Sequence, residues 1–323
     1  MHGPWSDART SRPALVLGGG GACGVVQAAY IYAAYEAGFR PSMVIGTSVG
    51  ALNAGWLALR PDDPDGLLRI WRGLDHVRVL NLSPVRFASR LLQHRMSAFS
   101  NELVPKLIAS NIGDTTFEDA RIPLSVVATN LTQGCKQVFR DGPLGPAILA
   151  STAIPGLFEP VEIDGELYVD GMLTASVDLQ TAMVMGATEI LAISLEPPRS
   201  TAEPKTAYGV LKRSLSVLSG STTLAMEACL KPQLPLKVVR PDISGSSAWR
   251  LDDSADALAR NMDLAREELK EVLDGRGHVI DQRETPDIAG QEALRRDAGL
   301  GLAPGLWNAV RHTFLPDSER EAS

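Results

Sequence analysis

Short apolar runs alternate with helix-periodic stretches along most of the chain. PALVLGG (residues 13–19) and SMVIGTS (42–48) read as buried strands, each followed by a helical pattern, GVVQAAYIYAAYEAG (24–38) and VGALNAGWLALR (49–60). Further along, IPLSVVATNL and KQVFRDG read as strands, and PLGPAILASTAIPG as a helix and turn. VEIDGELYVDG reads as a hairpin around Asp164-Gly165, and LQTAMVMGATEILAISL as a helix followed by a buried strand. This βαβα alternation predicts a mostly parallel sheet covered by helices on both faces. After a Pro-rich loop, EPPRSTAEPKT, two amphipathic helices are expected, in YGVLKRSLSVLSGSTTLAMEACL and DSADALARNMDLAREELKEVL. The pattern assigns residues 1–13 to a tail and 14–275 to one α/β domain with a helical C-terminal part at 205–275. Residues 276–323 form a polar, poorly periodic extension.

Composition narrows the function classes. With 323 residues and 45% apolar content, the chain can bury one large core. A net charge of −7 argues against a general nucleic-acid binder, which needs a basic footprint for phosphates. The first residues, MHGPWSDARTSRP, lack the apolar stretch of a signal peptide, and no run of about 18 apolar residues could span a bilayer. A cytoplasmic location is the expectation. Cys23, Cys135 and Cys229 are odd in number and far apart, so neither a disulfide framework nor a metal site is expected.

The chemistry concentrates at two strand-to-helix turns. Gly19 to Gly24 fit G-x-G-x-x-G, where backbone N–H groups and a helix dipole can hold an anion. A dinucleotide site would also need a carboxylate at the end of the next strand, and SMVIGTS has none. That strand ends instead in Gly46-Thr47-Ser48-Val49-Gly50, a nucleophile-elbow pattern in the required strand–turn–helix context. Adjacent βα turns of a parallel sheet open on the same edge, so the glycine-loop amides are expected to lie beside Ser48 and bind an oxyanion. A base for Ser48 is less evident. His2, His76, His94, His278 and His312 sit in polar or poorly patterned segments. A carboxylate can serve if burial raises its pKa, and Asp170 in YVDGML is the candidate. Asp170-Gly171 also fits a plain turn, and spacing does not separate the two readings.

Taken together and in this order, GGGGACG, GTSVG, ASTAIPGLFEPVEIDGELYVDGML and MGATEILAISL resemble the patatin-like phospholipase family over about residues 14–195. The resemblance implies a three-layer α/β/α fold and a Ser–Asp dyad without histidine. It assigns Ser48 as nucleophile, Asp170 as base and Gly19, Gly20 and Gly21 as the oxyanion loop, with Cys23, Gly24, Gly46, Gly50 and Gly171 nearby. It further implies hydrolysis of lipid or other acyl esters through an acyl-enzyme, with no cofactor. Transfer of an acyl group from an acyl-CoA or carrier thioester, and lipid binding without turnover, are the alternatives. Two departures from the family pattern stand out: Cys23 replaces an Arg or Lys, and DGMLTASVD lacks the Asn-x-Pro that follows the Asp-Gly pair in many members.

Two flanking features carry open alternatives. Residues 81–101, with Arg86, Arg90, His94 and Arg95 and no acid, form either a solvated basic helix face or a cap that touches an anionic membrane or acyl carrier. Cys23 is either a thiol activated in the first turn of its helix, on the oxyanion wall, or an inert thiol packed beneath it.

Overall fold

The structure, a computed structural model, describes residues 11–74, 103–196, 207–231, 233–241, 243 and 254–273. All belong to the unit Met1–Val279; the unit Ile280–Ser323 lies outside the described residues, as does the segment 81–101. The strands are β1 (Pro13–Leu17), β2 (Met43–Thr47), β3 (Leu124–Asn130), β4 (Cys135–Phe139), β5 (Val161–Ile163), β6 (Glu166–Asp170), β7 (Glu189–Ile193) and β8 (Leu236–Val239). They form one sheet in the order β5-β6-β3-β2-β1-β7-β8, with β4 paired to β3. β1, β2, β3, β7 and β8 run parallel, while β4, β5 and β6 are antiparallel additions.

Helices α1 (Gly24–Glu36), α2 (Val49–Leu59), α3 (Pro64–Arg72), α4 (Leu103–Asn111), α5 (Leu144–Ser151), α6 (Leu179–Val184), α7 (Ala207–Leu230) and α8 (Ser254–Leu273) cover the sheet. The period of two decides which face each strand residue serves. Leu15, Leu17, Val44, Leu191 and Ile193 enter a core shared with α1, α2, α3 and α8. Their neighbours Ala14, Val16, Met43, Ile45, Ile190 and Ala192 enter a second core with Leu179 and Ala182 of α6 and Leu230 of α7. The result is a three-layer α/β/α arrangement whose strands are apolar on both faces, as buried parallel strands must be. α1 is apolar on nearly every side because α3 and α8 pack on it from outside the sheet. Among the described residues, no helix is long and apolar enough to cross a membrane.

Three elements go beyond the pattern-based expectation: α3, α4 and β8. α3 does carry start signals, since the Asp63 carboxylate accepts from Gly66 N–H at 2.8 Å and Pro64 occupies the first turn. β8 is only four residues long, and its pairing with β7 defines it better than its own composition does.

Register then brings two strand ends together. β2 runs beside β3 until Thr47 lies opposite Val127. β6 approaches in the reverse direction and ends with Asp170 opposite Ala128. Thr47 and Asp170 thus face consecutive residues of one strand, which leaves Ser48, one residue further on, beside the Asp170 carboxyl.

Candidate active site

Ser48 occupies the turn between β2 and α2 with φ 57° and ψ −126°, a region that L-residues enter only under constraint. The constraint comes from the flanking glycines. A Cβ on Gly46 would run into Gly50 O and lie 2.7 Å from Ala51 Cα, and one on Gly50 would collide with Leu17 O. With both side chains absent, α2 can follow β2 with almost no connecting loop. The Ser48 hydroxyl does not cap α2. It donates instead to Asp170 Oδ2 at 2.6 Å, and Ser48 is 5% exposed.

Asp170 is wholly buried. Its Oδ1 accepts from Met172 N–H at 2.9 Å, so each carboxylate oxygen has one donor. Burial pushes the Asp170 carboxyl up to about 7, against the lowering effect of the Ser48 and Met172 hydrogen bonds. Its backbone is tied on both sides, by Asp170 N–H to Ala153 O at 2.9 Å and by Thr129 Oγ1 donating to Asp170 O at 3.0 Å. Gly171 must be small, because a Cβ there would strike Val127 O and lie 2.9 Å from Thr47 Cγ2. The turn after Asp170 is therefore a device that holds a carboxyl in place.

The glycine loop abuts Ser48, as the sheet geometry predicts. A Cβ on Gly19 would sit 3.0 Å from Ser48 Cβ and 3.7 Å from Ser48 Oγ. One correction concerns donors. Gly18 N–H is taken by Ile193 O at 3.0 Å and Gly19 N–H by Ser176 O at 3.3 Å, so Gly19 supplies closeness rather than a free amide. Among the described residues, no acceptor takes the N–H groups of Gly20 or Gly21. Gly24 also has a packing role: a Cβ there would meet Val49 and lie 2.5 Å from the Trp71 ring.

Ser151, from the ASTAIPGLF segment, is a site residue that the motifs do not single out. Its hydroxyl donates to Val127 O at 2.6 Å and accepts from Ser48 N–H at 2.8 Å, which fixes the strained peptide ahead of Ser48. Ser151→Ala would leave that buried N–H unpaired, a penalty of roughly 1–3 kcal/mol. The expected outcome is a lower Tm in thermal unfolding and a kcat reduced by about tenfold, because the elbow is no longer held.

Other expectations resolve differently. Cys23 is 2% exposed and packed in the core shared by α1, α2 and α3. It ends the short Gly21–Cys23 turn and stands just before α1. Cys135 and Cys229 are exposed. The five histidines and the arginines of segment 81–101 lie outside the described residues.

A patatin-like phospholipase profile matches residues 15–183, just over half of the chain and the span that holds Ser48, Asp170 and the glycine loop. The chain belongs to the patatin-like phospholipase family. Within curated relatives it is 32% identical over 208 residues to an NTE family protein of Mycobacterium tuberculosis, covering 62% of this chain and 55% of that one. It is 30% identical over 187 residues to neuropathy target esterase sws of Drosophila melanogaster, covering 56% of this chain and 13% of the esterase. It is also 30% identical over 181 residues to lysophospholipase NTE1 of Mycosarcoma maydis, covering 56% and 9%. This family member thus spans about half the length of the mycobacterial relative and a smaller part of the other two.

Proposed function

We propose that this chain is a lipid acyl hydrolase working through a Ser48 acyl-enzyme, with Asp170 as the base. The observation that carries the reading is the 2.6 Å hydrogen bond from a strained, nearly buried serine to a wholly buried carboxyl, facing the glycine loop. Ser48 Oγ attacks the ester carbonyl as its proton passes to Asp170, and the Gly20 and Gly21 amides hold the oxyanion. Collapse of the tetrahedral intermediate expels the alcohol, which takes the proton from Asp170. Water then attacks the acyl-enzyme, gives its proton to Asp170, and the acid leaves as Ser48 regains its hydrogen. No histidine is needed, because burial already brings Asp170 to a pKa suited to proton exchange near neutral pH.

Two observations support a lipid as substrate. Two of the relatives are named as an esterase and a lysophospholipase. Val210, Val217, Leu218 and Leu224 are exposed on α7, a helix that elsewhere packs against the Gly171–Leu173 turn, and exposed apolar side chains of this kind suit contact with a lipid. The test is fatty-acid release from a lysophospholipid, run beside a short p-nitrophenyl ester. Release from both, with labelling of Ser48 by a fluorophosphonate, is the expected outcome. An acyl group passed from acyl-CoA to an added alcohol faster than to water would turn the assignment to a transferase. Absence of labelling would remove catalysis altogether.

A further inference from the structure

The glycine loop has no side chains of its own to fix it, and glycine is the residue with the most backbone freedom to lose. Beneath it lies a buried polar relay that the motifs do not include. Trp71 Nε1–H on α3 donates to Asn53 Oδ1 on α2 at 2.9 Å. Asn53 Nδ2 donates to Gln27 Oε1 on α1 at 2.9 Å and to Gly24 O at 3.2 Å. Gln27 Nε2 in turn donates to Gly18 O at 3.0 Å and to Ile193 O at 3.4 Å.

Every polar hydrogen and every side-chain oxygen of the three residues is used, in a region closed to water. The relay ends on the carbonyls at both ends of the loop, Gly18 and Gly24, and on the strand end beside it. Because C=O and N–H point in opposite directions across a trans peptide, holding the Gly18 carbonyl inward also sets Gly19 N–H toward Ser176 O, and so anchors the peptide from which the Gly20 and Gly21 amides follow. A core that needed only volume at these positions would take Leu or Met, and avoid the desolvation of two amides.

Resting on the hydrolase reading above, we infer that Gln27, Asn53 and Trp71 are positioning residues that hold the glycine loop so its free amides meet the developing oxyanion. They touch no substrate. Their effect belongs to the chemical step, since the loop amides bind charge that exists only once the carbonyl is attacked.

The test uses the full chain with Gln27→Met, Asn53→Leu and Trp71→Phe, assayed on a short p-nitrophenyl ester and on a fluorophosphonate probe. Expected for Gln27→Met and Asn53→Leu is a fall in kcat of about tenfold to a hundredfold, with a parallel fall in the rate of phosphonylation. KM should stay within about twofold, and the pH midpoint set by Asp170 should not move, because no substrate contact and no charge is altered. Trp71→Phe should show a smaller loss of the same kind, since Asn53 keeps its bonds to Gln27 and Gly24. Asn53→Leu combined with Trp71→Phe should be no slower than Asn53→Leu alone, as expected of members of one relay.

A kcat within about twofold of the parent in Gln27→Met and Asn53→Leu, or losses that add and disappear when the assay is run well below a lowered Tm, would overturn the inference. If Gln27→Met does not fold, Trp71→Phe and its double variant decide the matter. Ser48→Ala is run alongside. Should it keep turnover, the reading of the site itself falls; should it be dead while Gln27→Met is unaffected, only the role of the relay falls.

Discussion

Ser48→Ala is expected to reduce turnover of a short p-nitrophenyl ester by about 10⁴- to 10⁶-fold, the scale at which removal of a serine nucleophile acts. The substitution keeps a Cβ at the same strained φ, so the elbow and the packing of α2 on β2 persist and circular dichroism should be unchanged. One electrostatic change accompanies it. Asp170 loses the hydrogen bond that most lowers its pKa, so its carboxyl is pushed further up. The variant should therefore be dead as a catalyst yet no less stable in thermal unfolding at neutral pH. Turnover that survives the substitution would remove Ser48 from the mechanism.

Asp170→Asn should be nearly as inactive and, above pH 7, more stable than the parent. In the parent, log(kcat/KM) should rise with unit slope and level off above about pH 7, since only the carboxylate can accept the serine proton. Stability runs the other way. The folded state holds this proton up to about pH 7 and the unfolded state releases it near the ordinary value of 3.8, so the native state binds more protons in between. The stabilisation is complete below the lower value and is lost as pH rises to the upper one. A rise of that size corresponds to about 4 kcal/mol. An asparagine has no such proton to lose, and can still accept from Met172 N–H. Thermal unfolding should thus show parent and variant diverging between about pH 4 and about pH 7, with the variant ahead at pH 8. A variant less stable than the parent at pH 8 would contradict the raised carboxyl, and one with undiminished turnover would remove Asp170 as base.

The parts of this protein that could be read along the chain are those decided by neighbours in the chain. Alternating apolar runs in PALVL and MVIGT, helix-periodic stretches after them, and glycines at 46 and 50 around a serine are local patterns. They determine a parallel sheet, its covering helices and a sharp turn, because backbone sterics and the periods of two and 3.6 act over a few residues. By spacing alone Asp170 is legible as either a candidate base or a turn carboxyl, and only the family resemblance assigns it as the base. Its partner is 122 residues away and meets it through the register of β2 and β6 on β3.

Tertiary structure alone decided the rest. Ser151 reaches Ser48 across 103 residues, and Gln27 reaches Ile193 across 166, through single hydrogen bonds that leave no periodic trace. Cys23 ends the short turn before α1 and is buried, and its burial is set by what packs around it in space rather than by its residue type. The working pKa of Asp170 is likewise no property of the YVDGML segment. It arises from the removal of water around a wholly buried carboxyl, and desolvation depends on what surrounds a group in space, not on what adjoins it in the chain.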